Sequence, residues 1–140
     1  MPVRSVAKAQ RVRAATGPLA RAVPRLRIVL VGDKRIGPGK MDLLEAIGRT
    51  GSISAAGRAM GMSYRRAWLL VDEANSMFTR PLVVASAGGV HGGGAQLTEF
   101  GRSVVAAYRR IEARTRAAIL DEFAPFENDI VTDAGPVTPA

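Results

Sequence analysis

The 140-residue chain has no cysteine. That excludes a disulfide framework, a thiolate metal site and a cysteine nucleophile, and it fits a reducing compartment. His91 is the single histidine, which rules out a two-histidine metal site and leaves little room for a Ser-His-Asp arrangement. Aromatic residues are few, with one Trp, two Tyr and four Phe, so a core must be mostly aliphatic and alanine. No apolar run approaches the roughly 18 residues needed to cross a bilayer. The amino end also lacks the continuous hydrophobic stretch of a secretory signal. Paired acids and clustered metal ligands are missing too. The chain is expected to be cytoplasmic, without membrane contact, and not an enzyme.

What is present is positive charge, unevenly spread. Twenty basic residues face twelve acidic ones, for a net charge of +8. Residues 1–32 contain Arg and Lys but no acid, while residues 121–140 contain acids but no base. A basic body with an acidic tail suggests a polyanion as partner.

Residues 1–24 show no sustained period and include three Pro, so a flexible basic arm is expected there. LRIVLVG is a short β-branched run that predicts a strand at about residues 25–31. GDKRIGPGK reads as a turn-rich linker. From Met41, apolar residues recur at Leu44 and Ile47, which is helical spacing. Pro38 fits the first turn, and Gly48 and Gly51 mark the stop. Ser52 caps a second helix over about Ile53–Met60. Ser63 caps a third that runs to about Phe78. LVVASA and AQLT read as short strands around GGVHGGG. Thr98 then starts a long helix that reaches about Phe123. The remainder, 124–140, is polar, acidic and expected to be disordered.

Three helices followed by a β-hairpin is the layout of a winged helix-turn-helix. The break at Gly61-Met62-Ser63 is the turn, and it presents the start of the next helix outward. On that helix, Tyr64, Trp68 and Val71 form one stripe and Ala67, Leu70 and Ala74 the next. Together these stripes are expected to face inward. Ser63, Arg65, Arg66 and Leu69 are left outside, where a recognition helix carries the side chains that enter the major groove. An arginine there can bond guanine O6 and N7 or hold phosphates, and spacing alone does not say which Arg does which. A cationic first turn is unfavourable at the positive end of a helix unless an external anion relieves it.

The glycine-rich segment 88–94 would be the wing, whose bare backbone can approach phosphates. Gly89, His91, Gly92 and Gly93 are the candidate backbone contacts there, joined by Lys34, Arg35 and Arg58. The segment has no Gly-Lys-Ser/Thr leading into a helix, so it is not a phosphate-binding loop of the nucleotide-hydrolase kind. In the last helix, Val104, Tyr108, Ile111, Thr115 and Ala118 recur at steps of four and three, a short heptad seam. Pairing with a second copy would cover it and place two recognition helices on one side of a duplex.

These elements together resemble a known family. GPGKMDLLEAIGRTGSISAAGRAMGMSYRRAWLLVDEANSMF and PLVVASAGGVHGGGAQLTEFGRSVVAAYRRIEA are similar to the amino-terminal DNA-binding domain of the ModE family of molybdate-responsive regulators. GSIS, MSYRRAW, GGxxGGG and LTxxG carry the likeness over about residues 25–120. The GSISAA segment is more broadly similar to LysR-type regulators. The resemblance implies a winged helix-turn-helix over 25–123 that dimerises through its first and last helices. It thereby adds Leu44 and Ile47 to the seam residues as candidate dimer contacts. It also implies that Ser63, Tyr64, Arg65 and Arg66 begin the DNA-reading helix. Only 17 residues follow Phe123, so no molybdate- or tungstate-binding domain and no cofactor are expected.

The reading is a mainly α protein with a small β-hairpin, a winged helix-turn-helix with a long C-terminal dimerisation helix. Its function would be sequence-specific regulation of transcription by a homodimer on double-stranded DNA, with molybdenum or related metal-oxyanion genes as targets. The alternative is a winged-helix adaptor that binds a protein partner.

Overall fold

A computed structural model of the chain describes residues 17–86 and 94–132. The wing tip with Gly89, His91, Gly92 and Gly93 lies outside the described residues, as do residues 1–16 and 133–140. Two units are distinguished, Arg25–Arg110 and a smaller one formed by the segments before Arg25 and after Arg110.

The larger unit begins with a hairpin of β1 (Ile28–Val31) and β2 (Lys34–Ile36). The strands pair antiparallel, with Ile28 opposite Ile36 and Val29 opposite Arg35. The expected single strand therefore has a partner inside the stretch read as a linker. KRI is too short and too charged to show a period by itself, and cross-strand pairing with the apolar run before it makes it a strand.

Helix α1 (Pro38–Thr50) follows, with proline in its first turn and Gly51 at its end. Helices α2 (Ile53–Ala59) and α3 (Tyr64–Ser76) form the helix-turn-helix. Both are capped as the sequence requires: the Ser52 hydroxyl accepts from the Ala55 N–H at 3.0 Å, and the Ser63 hydroxyl accepts from the Arg66 N–H at 3.1 Å. Gly61 adopts φ 71° at the turn, a conformation that favours glycine. The two helices approach so closely that a β-carbon on Gly57 would lie 3.0 Å from that of Ala67.

Strands β3 (Val83–Ser86) and β4 (Gly94–Leu97) pair antiparallel, from Val83 opposite Leu97 to Ser86 opposite Gly94. Asn75 of α3 fixes the start of β3. Its Oδ1 accepts from the N–H groups of Leu82 and Val83, and its Nδ2 donates to the Val83 carbonyl. The Ala95 N–H donates to the Gly51 carbonyl at 2.9 Å, which ties β4 to the link between α1 and α2. Helix α4 (Glu99–Phe123) begins after Thr98, whose hydroxyl accepts from the Gly101 N–H. The fold is a winged helix-turn-helix with a long C-terminal helix.

The core of the larger unit is aliphatic, as the scarcity of aromatics demands. Met41, Leu43, Leu44 and Ile47 of α1 are its centre, packed with Ala56, Ala67, Val71, Leu82 and Leu97. This corrects part of the proposed dimer set. Leu44 and Ile47 are 1% and 0% exposed within the single chain, and Tyr108 is 2% exposed. They have no surface to offer a second copy. Tyr108 is accommodated because its hydroxyl donates to the Leu26 carbonyl at 2.7 Å, which satisfies the one polar atom its burial removes from water.

The smaller unit corrects the expectation of loose ends over its described part. Residues Pro18–Arg21 and Ala124–Asp129 form 3-10 helices. Leu19 and Leu120 are buried against each other with Ile130 packed on them. The Glu127 carboxylate accepts from the Leu19 N–H, and the Arg116 guanidinium donates to the carbonyls of Ala20 and Ala22. Three apolar side chains far apart in sequence thus give these segments a small shared core.

Candidate nucleic-acid interface

The cap at Ser63 fixes where α3 starts, and the steep turn before it leaves that start uncovered. Ser63, Tyr64, Arg65 and Arg66 are all exposed. No acid stands in the first turn of α3 to balance the two guanidinium groups. Leu69 is exposed as expected, at 55%. The expectation that Tyr64 and Trp68 face inward is corrected: they are 58% and 47% exposed. Val71, Ala67 and Ala74 do turn into the core. The amino-terminal half of α3 packs on α2 through Ala67, while Tyr64 and Trp68 turn onto an open groove beside β3 and β4.

Three rows of α3 side chains open onto different surroundings. Tyr64, Arg65, Trp68 and Leu69 surround a shallow apolar hollow. Tyr64, Trp68, Asp72 and Asn75 also line a groove against β3 and β4. Arg66, Leu70 and Glu73 face the β1–β2 hairpin. The two arginines at the start of α3 therefore point to different places.

The expected backbone contacts are split as well. Arg35 reaches the same cleft as Arg66. Lys34, its neighbour on β2, donates to the Ser76 hydroxyl at 2.9 Å. That is the far end of α3, about 18 Å along the helix from Tyr64 at 1.5 Å per residue. Arg58 is exposed on α2 and donates to the Ser54 hydroxyl at 2.8 Å.

Sequence reasoning missed Lys40, Arg25 and Arg27. Lys40 is buried at 7% exposure, and its ammonium donates to the Arg35 carbonyl and pairs with the Glu73 carboxylate. It thereby holds β2, α1 and α3 together. Nothing local marks it, because a lysine in the first turn of a helix usually reaches water. Arg25 and Arg27 did leave a signal. They alternate with Leu26 and Ile28, and the period of two puts both arginines on one side of the chain. Among the described residues no group of three or more His, Asp or Glu is placed to hold a metal, and no helix is long and apolar enough to cross a membrane.

Residues 39–102 match the family described as bacterial regulatory helix-turn-helix protein, lysR family. The match makes this region similar to that family's helix-turn-helix domain. It takes in nearly all of α1, then α2, the turn at Gly61, α3 and strands β3 and β4, so the exposed first turn of α3 belongs to the matched region. The domain also has named relatives. Over 89 residues the chain is 49% identical to the molybdenum-pterin-binding protein MopB of Rhodobacter capsulatus, covering 64% of this chain and 33% of that protein. It is 46% identical over 80 residues to the molybdenum transport protein ModE of Azotobacter vinelandii, covering 57% and 30%. With the DNA-binding transcriptional dual regulator ModE of Escherichia coli K12 it shares 38% identity over 71 residues, covering 51% and 27%. The matched part spans about a third of the length of these relatives.

Proposed function

We propose that this chain is a sequence-specific DNA-binding regulator of transcription that acts on genes of molybdenum or related oxyanion metabolism. One observation carries the reading: a helix-turn-helix, similar to that of the lysR family, whose α3 begins with exposed Ser63, Tyr64 and Arg65 and has no acid in its first turn. Arg65 supplies a planar fork for guanine. Tyr64 and Leu69 beside it supply apolar surface of the kind that meets a thymine methyl. The molybdenum assignment draws on the names of the relatives. The protein works in the cytoplasm as a homodimer, without a cofactor and without catalytic activity. Ile111 and Ala118, exposed on α4, and half-buried Val104 and Thr115 keep surface for a second copy.

Selection of bound duplexes from a random pool tests this. The native chain recovers one enriched motif, and Arg65→Ala weakens the preference at one position of it. Recovery of no common motif by the native chain overturns the reading.

The exposed aromatic and aliphatic patch of Tyr64, Trp68 and Leu69 favours a second reading, an adaptor that docks a protein partner on α3. Capture of a partner that survives nuclease treatment and is lost in Leu69→Ser supports the adaptor.

A further inference from the structure

Arg25, Arg27, Arg35 and Arg66 line one cleft of about 520 Å³ between the β1–β2 hairpin and α3. Residues 37–39 also line it, and Glu73 is the only acid among its described lining residues. That carboxylate is already neutralised by buried Lys40. Among the described residues, none of the four guanidinium groups has an ion-pair partner. Among the described residues, four positive groups therefore share a cleft without a counter-charge of their own. Arginine forks are suited to phosphate because two parallel N–H donors match two of its oxygens.

The position of the cleft identifies which phosphate. The α3 row that faces β3 and β4 contains Tyr64 and Trp68, and the row that faces the cleft contains Arg66 and Leu70. Two residues along a helix is a rotation of about 200°, so the two hairpins flank α3 on nearly opposite sides. A helix seated in the major groove has one DNA strand along each flank.

We propose that the arginine cleft seats the phosphodiester backbone of one strand while the β3–β4 hairpin meets the other. Arg66 is then a backbone clamp, and the reading of bases falls to Arg65. This inference rests on the DNA-binding reading above. It extends the interface to Arg25 and Arg27, which precede the helix-turn-helix domain.

Binding of a duplex that bears the selected motif, followed by fluorescence anisotropy across a range of salt, tests it. Each phosphate contact adds about 0.9 to the slope of log affinity against log salt. The variant Arg25→Gln/Arg27→Gln/Arg35→Gln lowers that slope by about 2–3, and Arg66→Gln lowers it by about 0.9, with the ranking of motif variants unchanged. Should the triple variant unfold, single Arg27→Gln and Arg35→Gln proteins each lower it by about 0.9. A slope equal to that of the native chain in these variants overturns the cleft assignment and leaves DNA binding standing. Loss of motif ranking in Arg66→Gln overturns the clamp. Absence of any salt-dependent duplex binding by the native chain removes both the regulator reading and this one. A parallel titration with orthophosphate or molybdate at constant ionic strength separates the source of the anion. Saturable displacement of the duplex that requires the four arginines would make the cleft a site for a free oxyanion and overturn the duplex assignment.

Discussion

Arg65 and Arg66 are adjacent in the chain and open onto different surfaces: Arg65 borders the hollow with Tyr64, Trp68 and Leu69, and Arg66 borders the cleft with Arg25, Arg27 and Arg35. A rotation of about 100° per residue is enough to separate them. The expected consequence is a division of labour. Arg65→Ala costs about 1–3 kcal/mol of discrimination at one base pair and relaxes the sequence there. Arg66→Ala weakens all duplexes alike. Competition binding against single-position motif variants measures both.

Trp68 is the single tryptophan and is 47% exposed on the recognition helix. Its fluorescence therefore reports the proposed interface without added labels. Adding a motif duplex should quench or shift the emission and lower its sensitivity to acrylamide. An unchanged spectrum at saturating duplex would place the contact elsewhere.

Leu69 is exposed and makes no contribution to the core. Leu69→Ser should change the stability to urea by less than about 0.5 kcal/mol. Duplex affinity should nevertheless fall, because the apolar surface that Leu69 offers is lost. A variant that is destabilised and binds normally would reverse the assignment.

Lys40 joins three elements through its buried ammonium, while its partner Glu73 is 45% exposed. Lys40→Ala leaves the Arg35 carbonyl without its donor but lets Glu73 rehydrate. The loss is therefore about 1–3 kcal/mol, below the about 3–5 kcal/mol typical of breaking a fully buried pair. Lys40→Met with Glu73→Leu should recover part of it, since apolar replacement of both partners removes the unpaired charge. Urea denaturation of the three proteins checks the order.

Gly57 faces Ala67 across the crossing of α2 and α3, with 3.0 Å between an added β-carbon and that of Ala67. Gly57→Val should cost about 1–3 kcal/mol by overpacking, and duplex binding should fall as α3 is displaced. Thermal melting and anisotropy on one sample would show both effects.

By itself the sequence determined the local features: the caps at Ser52 and Ser63, the turn at Gly61, the helical spacing of Met41, Leu44 and Ile47, and the outward cationic turn at Arg65. Each depends on a few neighbouring residues and on backbone geometry, which are written in the chain order. Only the tertiary structure decided what lies opposite each face. It paired KRI with the run before it and closed Leu44, Ile47 and Tyr108 inside one chain. It left Tyr64 and Trp68 uncovered, and it brought Arg25, Arg27 and Arg35 to Arg66. Periodicity says which side chains share a side of an element, but burial depends on what packs against that side, and residues far along the chain supply the answer.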